Sequence, residues 1–181
     1  MHDRLPVPTL LGAREPRELT MSYVRGTHGQ ELIDAHRADL VLRIIGELLA
    51  EVQGIPVGLV EEISGSGDVV VHGDFGPQNV LIQLGSPSRV TALLDWEFAH
   101  AGERIEDLAW AEWIVRTHHP AKVTHLTSLF DGYGVRPVWG SRQAEMVRRC
   151  EELGRFAERQ GWTDAVTMWR ERTRITATWT E

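Results

Sequence analysis

VVVHGDFGPQNVLIQLGSPSRVTALLDWE, residues 69–97, is the stretch from which the fold of this 181-residue chain is read. It opens on a β-branched run, Val69 to Val71, of the kind that suits a buried strand. A polar loop, His72 to Asn79, leads into a second apolar run, Val80 to Ile82. The turn Gly85-Ser86-Pro87-Ser88 separates that run from a third, Val90 to Leu94, which delivers Asp95 at its end. Two short apolar runs joined by Gly, Ser and Pro predict a β-hairpin. A hairpin brings the far ends of its strands together, so Asn79 and Asp95 are expected to be neighbours, with Asp74 overhanging the same spot.

Two carboxylates and a carboxamide converging on loop backbone make an oxygen-rich site. Hard oxygen ligands suit Mg²⁺, which takes one or two protein carboxylates and leaves its other positions to water and phosphate oxygens. Phosphoryl transfer asks for the same set: one Asp to accept a hydroxyl proton, and an Asn and an Asp to hold metal. The order Asp74, Asn79, Asp95 is the order that kinases use. Taken singly, His72, Asp74 and Asn79 are equally loop formers, since Asp, Asn, Gly and Pro all favour turns.

HGDFGPQNVLI, then LLDWE, then EDLAW resembles the aminoglycoside phosphotransferase family, kinase-like enzymes that phosphorylate small molecules. The family pattern is HGDxxxxN, a hydrophobic strand ending in DWE or DFE, and a downstream DLA, and all three match here in order and spacing. The resemblance implies an α+β fold: a protein-kinase-like large lobe, mostly helical with a small catalytic-loop hairpin, and a two-stranded remnant of the nucleotide lobe. It implies Asp74 as catalytic base, Asn79 and Asp95 as Mg²⁺ ligands, and His72 and Asp107 as braces of the catalytic loop. ATP or GTP is the implied co-substrate and a hydroxylated small molecule the implied acceptor. The backbone across Ser22, Tyr23 and Val24 would hydrogen-bond the nucleotide base.

Residues 6–13 and 19–24 read as two strands around the turn Arg14-Glu15-Pro16-Arg17. They place a remnant of the nucleotide lobe and hinge at 1–27 and the helical lobe at 28–181. The earlier lobe strands, a Gly-rich loop, a strand lysine and its glutamate partner find no counterpart, and the single lysine, Lys122, lies in the helical half. An open sheet edge is avoided or covered in natural proteins, so a homodimer or a partner chain over those strands is expected.

Apolar residues at helical spacing predict a helix over 32–52, stopped by Gly54 and Pro56, and another after Gly102 with Asp107 near its start. An acid there suits the helix dipole and can accept N–H bonds from the HGD loop. Further helices are read over 121–130, from Ser141 to Gly161, and over 166–179, with the tryptophans as core or rim aromatics. His118 and His119 show no metal-ligand spacing and are read as a surface loop.

Apolar content of 42%, charge of 25% and a net charge of −7 describe an ordinary globular chain. The acidic balance argues against nucleic acid, which requires clustered Lys and Arg, and is compatible with a cationic substrate. The N-terminus lacks the basic start and apolar run of a secretory signal, and no window approaches the roughly 20 apolar residues of a membrane span. One cysteine, Cys150, excludes an internal disulfide, so a cytoplasmic location is expected.

Overall fold

The structure, a computed structural model, describes residues 5–14, 18–60 and 63–181. Among them no helix is long and apolar enough to cross a membrane. The chain opens with an antiparallel hairpin, β1 (Leu10–Arg14) and β2 (Glu18–Met21). The turn read over 14–17 lies, at 15–17, outside the described residues. Both strands are shorter than the sequence suggests. Prolines at 6 and 8 have no N–H to give a ladder, and this segment instead runs beside the central sheet, where the Leu93 N–H donates to Pro6 O at 2.7 Å. Ser22 leaves the sheet, its N–H bonded to Thr9 O at 2.8 Å. The hairpin joins no third strand among the described residues, and Leu10, Leu11, Leu19 and Met21 are exposed on it.

The central sheet has the order β3 (Thr27–His28), β5 (Val80–Gln83), β6 (Arg89–Leu93), all antiparallel. The β5–β6 pair is the hairpin read from the sequence, with Val80 opposite Leu93. β3 straddles position 27/28, so the two expected segments share this sheet. Val69–Val71 forms β4, buried throughout, and pairs with β7 (His100–Gly102). β7 carries no strand pattern of its own; it exists because the backbone of β4 needs a partner.

The single helix read over 32–52 is two, α1 (Gly29–Asp34) and α2 (Ala38–Gln53). His36 takes a left-handed φ of 62°. Around it Arg37 N–H donates to Leu32 O and His36 N–H to Ile33 O, at 2.9 and 3.1 Å. This is a Schellman stop built on histidine instead of glycine. The remaining helices are α3 (Ile105–His118), α4 (Leu126–Tyr133), α5 (Trp139–Gln160) and α6 (Thr163–Ala177). A 3-10 turn, Pro120–His125, fills the start of the segment read as one helix from 121. α5 begins at Trp139 with Val138 as its cap, so Ser141 lies inside the helix rather than ahead of it. Gly161, with φ 73°, ends it as expected.

α2 and α4 cross backbone to backbone. A Cβ on Gly46 would lie 2.2 Å from Leu129 O, and one on Gly132 would lie 2.2 Å from Arg43 O. That close approach explains why α4 continues through Gly132 to Tyr133 instead of stopping at 130. Around the seam, Val41, Leu42, Ile45 and Leu49 pack with Leu129, Phe130, Phe75 and Leu108 in the main core. A second cluster joins α3, α5 and α6 through Trp110, Trp113, Met146, Cys150 and Trp169. Burial pushes the Cys150 thiol up to about 11, which fits a packing role. His119 is buried, not on the surface, with Nδ1 3.1 Å from an Asp34 oxygen.

Candidate active site

The loop after β4 is held from beneath by α3. Asp107, in the first turn of that helix and 1% exposed, accepts the His72 N–H at 2.7 Å on one oxygen and the Gly73 N–H at 2.9 Å on the other. Gly73 has φ 84°, and a Cβ there would meet Phe98 O at 2.4 Å, so this turn requires glycine. The His72 ring is buried and fastens two loops. Its Nδ1 accepts the Asp74 N–H at 3.2 Å, which leaves the ring proton on Nε2 to be donated to Leu94 O at 2.8 Å. Burial lowers the pKa of His72, so the neutral ring that this pattern needs is also the favoured one.

Burial pushes the Asp107 carboxyl up to about 6, against the pull of the two N–H donors. Since the reference value is 3.8, the folded chain holds this proton more tightly than the unfolded chain between about pH 4 and 6. Stability from this group is greatest below pH 4 and is lost as the pH rises through 6, by about 3 kcal/mol at most. Urea unfolding should therefore show the gap between wild type and Asp107→Asn narrowing by that amount from pH 4 to pH 7. A gap that widens over the same range is incompatible with the buried acid.

Asn79 closes a 3-10 turn, Pro77–Asn79, directly before β5. Its amide nitrogen donates to Asp74 O at 2.8 Å and to Asp74 Oδ2 at 3.0 Å. Its backbone carbonyl accepts the Leu94 N–H at 2.8 Å, so Asn79 sits across the ladder from the residue before Asp95. Asp95 is exposed, in a left-handed conformation with φ 66°. A non-glycine residue held there is unusual, and such residues gather at functional loops. Ser22, Tyr23 and Val24 lie apart from these two loops in the chain, Tyr23 being 88% exposed and the Ser22 N–H already bonded.

Asp74 faces a cleft of about 360 Å³. Its other oxygen, Oδ1, accepts the indole N–H of Trp110 at 2.9 Å, and Gln78 Nε2 lies 3.5 Å from Oδ2. Oδ2 thus faces two amide N–H donors, whereas Oδ1 has one partner and a second lone pair with which to accept from a ligand hydroxyl. Trp110 and Trp113 stack with ring centres 4.4 Å apart and 5° between planes, and Trp169 of α6 tilts against both. Phe98, Ile114 and Leu153 complete the apolar lining. Arg149 reaches in from α5 to donate to Gly73 O at 2.6 Å. The sequence reading missed Trp110, Gln78 and Arg149. Trp110 could have been found: it lies three residues after Asp107, hence on the helix face that meets the loop.

Among the described residues no three His, Cys, Asp or Glu side chains group closely enough to hold a metal ion unaided. The donors that the sequence assigns to a metal, the Asn79 amide oxygen and the Asp95 carboxylate, are hard oxygens. They fit Mg²⁺ carried in with phosphates, which supply much of its coordination.

A mostly helical lobe that carries Asp74, Asn79 and Asp95 on two loops tied to one histidine has the architecture of the kinase-like phosphotransferases. Residues 61–144 match the model of the phosphotransferase enzyme family. The fold is that of the aminoglycoside phosphotransferases. A thermostable mutant of aminoglycoside phosphotransferase APH(4)-Ia in apo form superposes with TM-score 0.72 at 17% identity, over 96% of this chain and 77% of that one. The same enzyme in ternary complex with AMP-PNP and hygromycin B gives 0.67 at 16%, over 96% and 76%. Macrolide 2'-phosphotransferase MphH from Brachybacterium faecium gives 0.58 at 20%, over 99% and 76%. At these identities the likeness is one of fold. No curated protein sequence matches the chain. The resemblance drawn from HGDFGPQN, LLDWE and EDLAW thus holds at the level of fold and family signature.

Proposed function

We propose that the chain is a phosphotransferase that moves the γ-phosphoryl group of ATP or GTP to a hydroxyl of a small molecule. The observation that carries this is the setting of Asp74, a carboxylate at a concave, mostly apolar cleft, oriented by Trp110 and Asn79. In this reading Asp74 accepts the acceptor's hydroxyl proton as the oxygen forms its bond to phosphorus, and the bond to the nucleoside diphosphate breaks. Asn79 and Asp95 hold the metal. Bound there, Mg²⁺ supplies charge neutralisation on the phosphate oxygens. His72 and Asp107 position the loop without touching the reacting atoms, and the Ser22–Val24 backbone is assigned to the nucleotide base.

A second reading, a binding module that holds a ligand without transferring phosphate, has one observation in its favour. The single lysine, Lys122, sits on the 3-10 turn between α3 and α4, with Nζ 3.4 Å from His36 Nδ1, where it is engaged away from the Asp74 loop. Thermal unfolding with millimolar ATP or GTP, with and without Mg²⁺, followed by an acceptor screen, separates the two. Metal-dependent stabilisation with turnover supports the enzyme; stabilisation without turnover supports the module.

Asp95→Gly gives a sharper version of the test. Glycine accepts the left-handed backbone at no steric cost, so stability should stay within about 1 kcal/mol of wild type. The metal-dependent part of the nucleotide effect should disappear. Retention of that part would remove Asp95 from the metal site.

A further inference from the structure

The geometry points to an acceptor that is a flat, apolar alcohol carrying an anionic group, and to Arg172 as the residue that selects it. This inference rests on the phosphotransferase reading of the Asp74 cleft and names its substrate class. The net charge of −7 had left a cationic substrate open, but the sign inside the cleft is the reverse. Two guanidiniums line it, those of Arg149 and Arg172, and Asp74 is its single carboxylate.

The two arginines differ. Arg149 is occupied: it donates to Gly73 O and has a Glu152 oxygen at 3.7 Å. Arg172 lies over the rings of Trp169 and Trp113, at 4.7 and 5.4 Å, and has no carboxylate within 4.0 Å among the described residues. Burial and then the nearby charge of Arg172 lower the pKa of His118 at the same rim, so that imidazole adds no charge near neutrality. A partly desolvated guanidinium on an indole face is a fork for a planar anion. The Trp110–Trp113 stack offers a flat apolar surface beside it, and the indole N–H of Trp110 fixes the carboxylate that receives the hydroxyl. A ligand lying along the indoles can thus present its alcohol to Asp74 and its anion to Arg172. A polyamine would set its charges against two guanidiniums in a setting where water screens them poorly.

The test uses the full chain and three matched probes: a hydroxymethyl-naphthalene carrying a carboxylate, the same without a charged group, and the same carrying an aminomethyl group. Hygromycin B serves as a polyamine sugar. Calorimetric affinities, measured without nucleotide, should follow carboxylate, then neutral, then ammonium, with at least tenfold between the first and last. Arg172→Gln should cut the carboxylate probe by tenfold or more while the neutral probe changes less than threefold. Arg172→Lys should keep most of the charge preference, which separates lost charge from a collapsed stack. The inference is overturned if the ammonium probe or hygromycin B binds tightest, if Arg172→Gln weakens all three equally, or if none binds at millimolar concentration. Phosphorylation is read separately, as release of nucleoside diphosphate with Mg·ATP. The charge order without any transfer would sink the phosphotransferase reading and leave the ligand class of the cleft standing; transfer to the ammonium probe alone would do the opposite.

Discussion

Asp74→Ala is expected to lower phosphoryl transfer by about 10²–10⁴-fold, the range set by loss of a positioned general base, while the chain stays folded. Asn79 keeps a partner, because its amide nitrogen also donates to the Asp74 backbone carbonyl at 2.8 Å. The Trp110 N–H loses its acceptor in a site where that residue is 5% exposed, a cost of about 1–3 kcal/mol. The metal ligands assigned to Asn79 and Asp95 remain, so metal-dependent nucleotide stabilisation should survive in the variant. Initial rates of nucleoside diphosphate release, run beside thermal shifts on the same preparation, check both halves. Turnover within threefold of wild type would remove Asp74 from the role of base. Asp74→Asn is the control: it keeps the shape of the side chain and cannot accept the proton, and it should be as slow as alanine.

The largest expected effect on stability comes from a different place. Arg142 and Glu112, both wholly buried, form an ion pair at 2.5 Å between α5 and α3. Arg142 also donates to Pro137 O at 2.8 Å and to Glu181 near the end of the chain, and it lies over the Phe130 ring at 4.7 Å. A second arginine, Arg116, holds the other Glu112 oxygen at 2.9 Å. Arg142→Ala leaves a buried carboxylate with half of its partners, a loss of about 3–5 kcal/mol. At roughly 2–4 °C per kcal/mol for a chain of this size, the unfolding midpoint should fall by about 6–20 °C. Replacing both Arg142 and Glu112 by leucine should recover much of that loss, because a well-packed apolar pair matches a buried ion pair in stability. Equal losses in the single and double variants would show that the side chains matter for packing and not for charge. The exposed pairs, such as Arg170 with Glu158, have little comparable weight.

What could be read from the residues was local. The β5–β6 hairpin follows from two β-branched runs and a Gly-Ser-Pro turn, and Gly161 ends α5 because only a left-handed cap fits there. The stop at His36 was hidden, since Leu32 and Ile33 before it and Leu40 and Val41 after it keep a helical spacing across the break. β7 was invisible because His-Ala-Gly has no strand signature; the pairing comes from β4. Helix α4 overran its apparent stop because Gly132 answers to Arg43 across the α2–α4 crossing and not to a turn. In the site, the loop residues announced themselves through a fixed spacing. The wall did not: Arg149 reaches Gly73 from 76 residues away, and Arg172 meets the cleft only because α6 packs against α3. Side chains that converge from distant helices leave no periodic trace.

The imidazole of His72 sets a common reference for two loops that the chain keeps far apart. Because the backbone N–H of Asp74 and the carbonyl before Asp95 are measured from one rigid ring, the spacing of the Asp74 and Asp95 loops is calibrated inside this lobe. The exposed N-terminal hairpin can swing or shift without detuning that spacing, because none of these bonds involves it. Sequence change in that hairpin and alignment of the two loops are separate dials in this architecture, and variation can turn the first while the second stays fixed.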